Sequence, residues 1–97
     1  MSQRVIVDEN ASPGSPVWEQ FQRMLGNRPF EPVFLKDVHP GIPDVEILDK
    51  LLRPESILLT GDRVLHMQAI ALGFRSYTLN ERGELIRPLT HDKRRAR

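Results

Sequence analysis

Cysteine is absent from this sequence. The chain therefore has no disulfide, no thiolate nucleophile and no cysteine-ligated zinc site, which leaves stability to packing and site chemistry to oxygen and nitrogen groups. An excess of either charge is missing as well. Fourteen Lys and Arg stand against thirteen Asp and Glu, a formal net charge of +1, which argues against a polyanion binder that works by bulk charge. Long apolar runs are lacking: the first, Val5-Ile6-Val7, is stopped by Asp8-Glu9-Asn10. Neither a signal peptide nor a membrane span is expected, and the protein reads as cytoplasmic. Aromatic residues are few, and they read as packing residues rather than base-stacking platforms: Trp18 and Phe21 fall at helical spacing, Phe74 and Tyr77 on a terminal strand.

What remains is an ordinary globular composition, 39% hydrophobic and 28% charged over 97 residues, enough for one core and too little for two. Residues 1–90 read as the domain. Residues 91–97 carry Lys93, Arg94, Arg95 and Arg97 against Asp92; this tail holds +3 of the whole-chain +1, so residues 1–90 carry −2. It reads as a disordered basic end whose cations can meet a nucleic-acid backbone.

Hydrophobic spacing gives the elements. Residues 4–8 form a β-branched run that reads as a buried strand. Val17, Trp18, Phe21, Met24 and Leu25 mark one helical face ending at Gly26, and Val33-Phe34-Leu35 reads as a second strand. Val45, Ile47, Leu48, Leu51 and Leu52 repeat with helical spacing until Pro54 forbids continuation. Residues 56–60 are a third strand, 64–72 an apolar helix stopped by Gly73, and 74–79 with 84–89 a closing hairpin around the turn residues 80–83. The order β-α-β-α-β-α-β-β is that of an α/β domain, a small three-layer sandwich with a mostly parallel central sheet.

In such sheets ligands bind beyond the carboxyl ends of the strands. Asp8 stands at the end of the first strand, Asp44 and Glu46 at the start of the second helix, and Asp62 at the end of the third strand. If the first and third strands are neighbours, Asp8 and Asp62 face each other across about 5 Å. Carboxylates that close call for a cation, and hard oxygen donors suit Mg²⁺ or Mn²⁺. Asp62 and Asp44 also fit a plainer role as helix caps or first-turn acids. Glu9 and Asp37 read as solvated turn residues, and His39 and His66 as structural.

Three segments carry a resemblance. The strand end Val5-Ile6-Val7-Asp8-Glu9-Asn10, the loop and helix Gly41-Ile42-Pro43-Asp44-Val45-Glu46-Ile47-Leu48, and the strand end Ile57-Leu58-Leu59-Thr60-Gly61-Asp62-Arg63 resemble, in order and spacing, the PIN-like superfamily and its short stand-alone bacterial members. The resemblance covers about positions 4 to 89. It implies a metal-dependent ribonuclease that cuts single-stranded RNA, of the kind found as toxins paired with a small antitoxin protein. It also implies that Asp8, Asp44 and Asp62 bind Mg²⁺ or Mn²⁺; Glu46, two positions beyond Asp44, is a second-tier candidate ligand on the residue reading alone. Thr60 or Asn10 would orient the attacking water, and Arg63 with the tail cations would hold the backbone. Thr60-Gly61-Asp62 is followed by Arg63-Val64-Leu65, where the family commonly carries a second Asp.

Two other readings stay in view. A degenerate PIN-like fold would bind protein or RNA without cutting, its acids kept as caps and its 64–72 helix contributing to a homodimer interface. A receiver-like phosphoacceptor domain also begins with a strand ending in acids, but the expected Lys at the end of a later strand is absent.

Overall fold

Residue Val7 ends one strand and Leu59 another, and the two lie side by side at the middle of the sheet. The computed structural model describes residues 3–86. Their order is β1 (Gln3–Val7), a 3-10 turn (Glu9–Ala11), α1 (Pro16–Leu25), β2 (Phe30–Phe34), α2 (Leu35–Val38), α3 (Asp44–Glu46) running into a wide π turn (Ile47–Leu51), β3 (Ile57–Leu59), α4 (Arg63–Ala71), β4 (Arg75–Leu79) and β5 (Leu85–Ile86). The α/β class and the mostly parallel sheet follow the sequence reading. The five strands lie in the order β2-β1-β3-β4-β5, parallel up to β4, with β5 antiparallel to it.

The two central runs are buried on both faces because helices cover both. Val5, Val7, Ile57, Leu59 and Tyr77 meet Val17, Trp18 and Phe21 of α1 on one side. Ile6 and Leu58 point the other way, to Leu35, Ile47, Leu52 and the α4 residues Leu65 and Ala69. This alternation turns an unbroken apolar run into two half-cores, as expected of a central parallel strand. Trp18 lies 5.4 Å from Phe34 and Phe21 lies 5.2 Å from Tyr77, centroid to centroid in tilted or edge geometry, so these aromatics are packing residues, as read.

Several boundaries differ from the sequence reading. β2 begins at Phe30, three residues earlier than its apolar run, with Pro32 inside it opposite Val5. Leu35 does not close that strand. Its partner strand stops at the Val7–Phe34 register, and Leu35 opens α2 instead, which swings its side chain, wholly buried, into the α4-side core. The second helix is α-helical for three residues only; Leu52 N–H then reaches back to Ile47 O at 3.1 Å, closing the wider turn. Residues 87–89 of the expected hairpin and the tail at 91–97 lie outside the described residues. Among the described residues no helix is long and apolar enough to cross a membrane.

Candidate functional site

With β1 continuing to β2 on one side and β3 lying on the other, the strand order reverses between β1 and β3. Their carboxyl ends form the topological switch point, the place where open α/β sheets hold ligands. Asp8 and Asp62 both stand there, as expected from two adjacent central strands.

They are tied into one network. Asp8 N–H continues the ladder to Leu59 O at 2.9 Å. The Asp8 carboxylate accepts from Glu9 N–H at 2.9 Å through Oδ1 and from the Thr60 hydroxyl at 2.8 Å through Oδ2. The Thr60 oxygen in turn accepts from Asp62 N–H at 3.0 Å. Thr60 is wholly buried and its single hydroxyl joins the two strand ends. Asn10 closes the other side: its Oδ1 accepts from Gly61 N–H at 2.7 Å and lies 3.4 Å from Thr60 Oγ1. Gly61 eases that approach, since a Cβ there would meet Asn10 Oδ1 at 3.3 Å and its backbone oxygen at 3.4 Å, and Asn10 would have to shift slightly.

The plainer role read for Asp62 and Asp44 holds, as a cap and as a first-turn acid respectively, and Asp8, not read so, caps a turn as well. Asp62 caps α4, Oδ1 accepting from Val64 N–H at 2.9 Å and Leu65 N–H at 3.3 Å, and Asp8 caps the 3-10 turn. Asp44 caps nothing. It is the first residue of α3, whose N-cap is Pro43, with no side-chain cap bond. Its carboxyl is raised above the ordinary value of 3.8, first because neighbouring atoms displace water from it, then because the charges of Asp62 and Asp8 oppose its own. Asp44, far from Asp8 and Asp62 in sequence, thus senses the charges of both.

Their donors are hard carboxylate oxygens, the class that Mg²⁺ and Mn²⁺ take. A carboxylate has about four lone-pair sites, so Asp8 keeps acceptor capacity beyond its two bonds, and Asp62 Oδ2 accepts from no protein donor among the described residues. The donor chemistry fits a divalent cation. The geometry is not a closed cage: among the described residues no three His, Asp or Glu side chains form a ready ligand set.

The remaining candidates are placed as follows. Glu46 lies 3.8 Å from Lys50, one helical turn on. Arg63, the residue after Asp62, reaches Glu81 of the β4–β5 turn at 3.8 Å. Lys93, Arg94, Arg95 and Arg97 lie outside the described residues. His66 packs as a structural residue, as read: it is on the buried side of α4 with Nδ1 2.7 Å from the Ser76 hydroxyl, and burial lowers its pKa from 6.5.

Sequence reasoning missed Glu9. Read as a solvated turn residue, it reaches across to the loop before α3, where its Oε2 accepts from Gly41 N–H at 2.6 Å. That loop launches Asp44. A Gly in the left-handed region, φ +73° at Gly41, is the one local hint of a sharp turn there.

Compared with protein-family models, curated proteins and solved structures, the chain matches none.

Proposed function

We propose that this domain is a PIN-like, Mg²⁺- or Mn²⁺-dependent ribonuclease acting on single-stranded RNA in the cytoplasm, in the manner of a toxin held by a small antitoxin protein. One observation carries the reading: Asp8 and Asp62 stand at the carboxyl ends of adjacent central strands, the charges of both oppose that of Asp44, and no cationic side chain is bonded to any of the three among the described residues. Repulsion felt by a carboxylate at the switch point is a cost that a bound cation relieves.

The chain's own part in the chemistry follows from the network. Asp8 and Asp62 would hold the cation, each with one oxygen already fixed by N–H donors so that the carboxylate plane is set before the metal arrives. Asp44 would hold it from the start of α3, with Glu46, two positions on, as a further candidate ligand. Thr60 keeps Asp8 turned toward Asp62. Asn10, its oxygen spent on Gly61, presents its amide N–H groups to a water or phosphate oxygen. Arg63 offers a guanidinium at the rim. When bound, the cation supplies Lewis acidity to a phosphodiester oxygen and lowers the pKa of a coordinated water.

Mn²⁺ titration calorimetry on wild type and Asp8→Asn, beside cleavage of a mixed-sequence single-stranded RNA with and without EDTA, tests the reading. Metal heat and EDTA-sensitive cutting, both lost in the variant, support it. Folded protein that gives no heat at millimolar metal and leaves RNA intact overturns it. That result would favour the second reading, a noncatalytic interaction domain. Its support is the outer face of α4, where Val64 is 66% and Met67 63% exposed, an apolar stripe suited to a second copy of the chain.

A further inference from the structure

Beside Asp62, between the start of α4 and the β4–β5 turn, lies a cleft of about 340 Å³ lined by Arg63, Asn80, Glu81, Arg82 and Glu84. We propose that it is a subsite for the nucleotide next to the scissile phosphate, in which Arg63 and Arg82 grip a phosphodiester and Glu81 is the counter-ion that RNA displaces. This deepens the ribonuclease reading and rests on it for the substrate class.

Position is the first argument. Thr60 N–H donates to Tyr77 O, so the end of β3 is level with β4, and Asn80 leaves β4 on the same side of the sheet as Asp62 leaves β3. A chain laid across the carboxyl ends of β1 and β3 passes next over this cleft. Its volume is at the small end of the range for ligand sites, about 300 to 1,000 Å³, which suits a single nucleoside.

Rigidity is the second. Asn80 builds the turn: Oδ1 accepts from Arg82 N–H and Glu84 N–H, each at 2.9 Å, and Nδ2 donates to Glu84 Oε1 at 3.0 Å. The Arg82 backbone is thereby fixed while its side chain stays exposed. Glu84, held by Asn80, presents a carboxylate able to accept from an exocyclic amine of a base. The turn is a preorganised wall, not a loose hairpin tip.

Charge is the third. Empty, the lining is neutral, two guanidinium groups against two carboxylates. Yet the Arg63–Glu81 pair spans 3.8 Å with side chains 54% and 86% exposed, and exposed pairs at that distance are weak. A phosphodiester can take both N–H groups of a guanidinium face, which a carboxylate 3.8 Å away does not, so exchange of Glu81 for RNA favours the substrate. Glu81 is thus a weakly held counter-ion at the place the phosphodiester would take.

The test is fluorescence anisotropy of a labelled ten-nucleotide single-stranded RNA in EDTA at low salt, with full-length wild type, Glu81→Gln, Arg63→Gln, Arg82→Gln, and Arg28→Gln at the opposite end of the sheet as control. Glu81→Gln is expected to tighten binding several-fold. Arg63→Gln and Arg82→Gln are each expected to weaken it by about tenfold and to lower the salt slope by about one. The control is expected to match wild type. Wild type that does not bind, or cleft variants that track the control, overturns the proposal. Mn²⁺ calorimetry on the same wild-type preparation keeps the two ideas separate. Metal heat with an inert cleft sinks the subsite alone; a cleft that responds as expected without metal heat sinks the cutting reading alone.

Discussion

Glu9 and Gly41 are 32 residues apart in sequence and are joined by one hydrogen bond of 2.6 Å from the Gly41 amide to the Glu9 carboxylate. It is the link by which the end of β1 sets the position of the loop that carries Asp44. Charge-assisted bonds to backbone N–H groups are stronger than neutral ones, but this one is exposed, so its loss in Glu9→Ala should cost about 1 kcal/mol. The sharper readout is local. Amide exchange at Gly41 and at Glu46 and Ile47, which both donate to Pro43 O, should quicken in Glu9→Ala and stay near wild type in Glu9→Gln. Unchanged exchange in the alanine variant would show that the loop is held without Glu9.

Thr60→Val keeps the shape of a wholly buried side chain and removes the hydroxyl that serves Asp8 and Asp62 together. The Asp62 amide and one Asp8 oxygen lose their partner, and a cost of about 2 kcal/mol is expected in urea unfolding. Thr60→Ser should recover most of it. A loss in Thr60→Ser with none in Thr60→Val would point to the methyl group instead.

Two variants separate the cap from the charge at Asp62. Asp62→Ala loses the acceptor for two N–H groups of α4 and should destabilise by about 1 kcal/mol. Asp62→Asn keeps an acceptor and should fold nearly as well, yet lose Mn²⁺ heat. Undiminished metal binding in Asp62→Asn would remove Asp62 from the ligand set.

Asp44 gives a pH dependence of defined sign. Its carboxyl is raised above 3.8, so the folded chain keeps this proton to a higher pH than the unfolded chain does. The associated penalty is absent below 3.8, grows as pH rises through the raised value, and is constant above it. In EDTA near neutral pH, Asp44→Asn should melt higher than wild type, by roughly 2 °C at most because the group is exposed and screened. The gap should close on acidification. A variant that melts lower at neutral pH would mean that the acids do not oppose one another in the folded chain.

His66 has the opposite sign. Burial lowers its pKa from 6.5, so the unfolded chain takes up the proton first as pH falls. Stability is full above 6.5 and declines as pH drops through 6.5 toward the folded value. Thermal melts should show this loss in wild type and a flatter profile in His66→Gln.

The parts of the fold that were legible in the sequence are those where one residue type settles one neighbour. Val5-Ile6-Val7 and Ile57-Leu58-Leu59 are apolar at every position, so both faces had to be covered, which made them adjacent central strands and brought Asp8 opposite the turn holding Asp62. The start of β2 was hidden by Pro32, which reads as a strand breaker and is tolerated because β2 is at the edge. Leu35 misled because an apolar residue after two others continues a strand by pattern, whereas its partner strand has already ended. At the site, residue identity pointed to the acids and to Asn10 and Thr60. Glu9 was not legible, because nothing in the spacing of Glu9 and Gly41 records that two loops cross.

Pro32 also bears on how copies of this chain can meet. A sheet with open edges can grow by adding a strand from another molecule. β2 lies at one margin and offers no N–H at Pro32. Strand-to-strand fusion along β2 is therefore disfavoured, since an added strand would find one rung of the ladder without a donor.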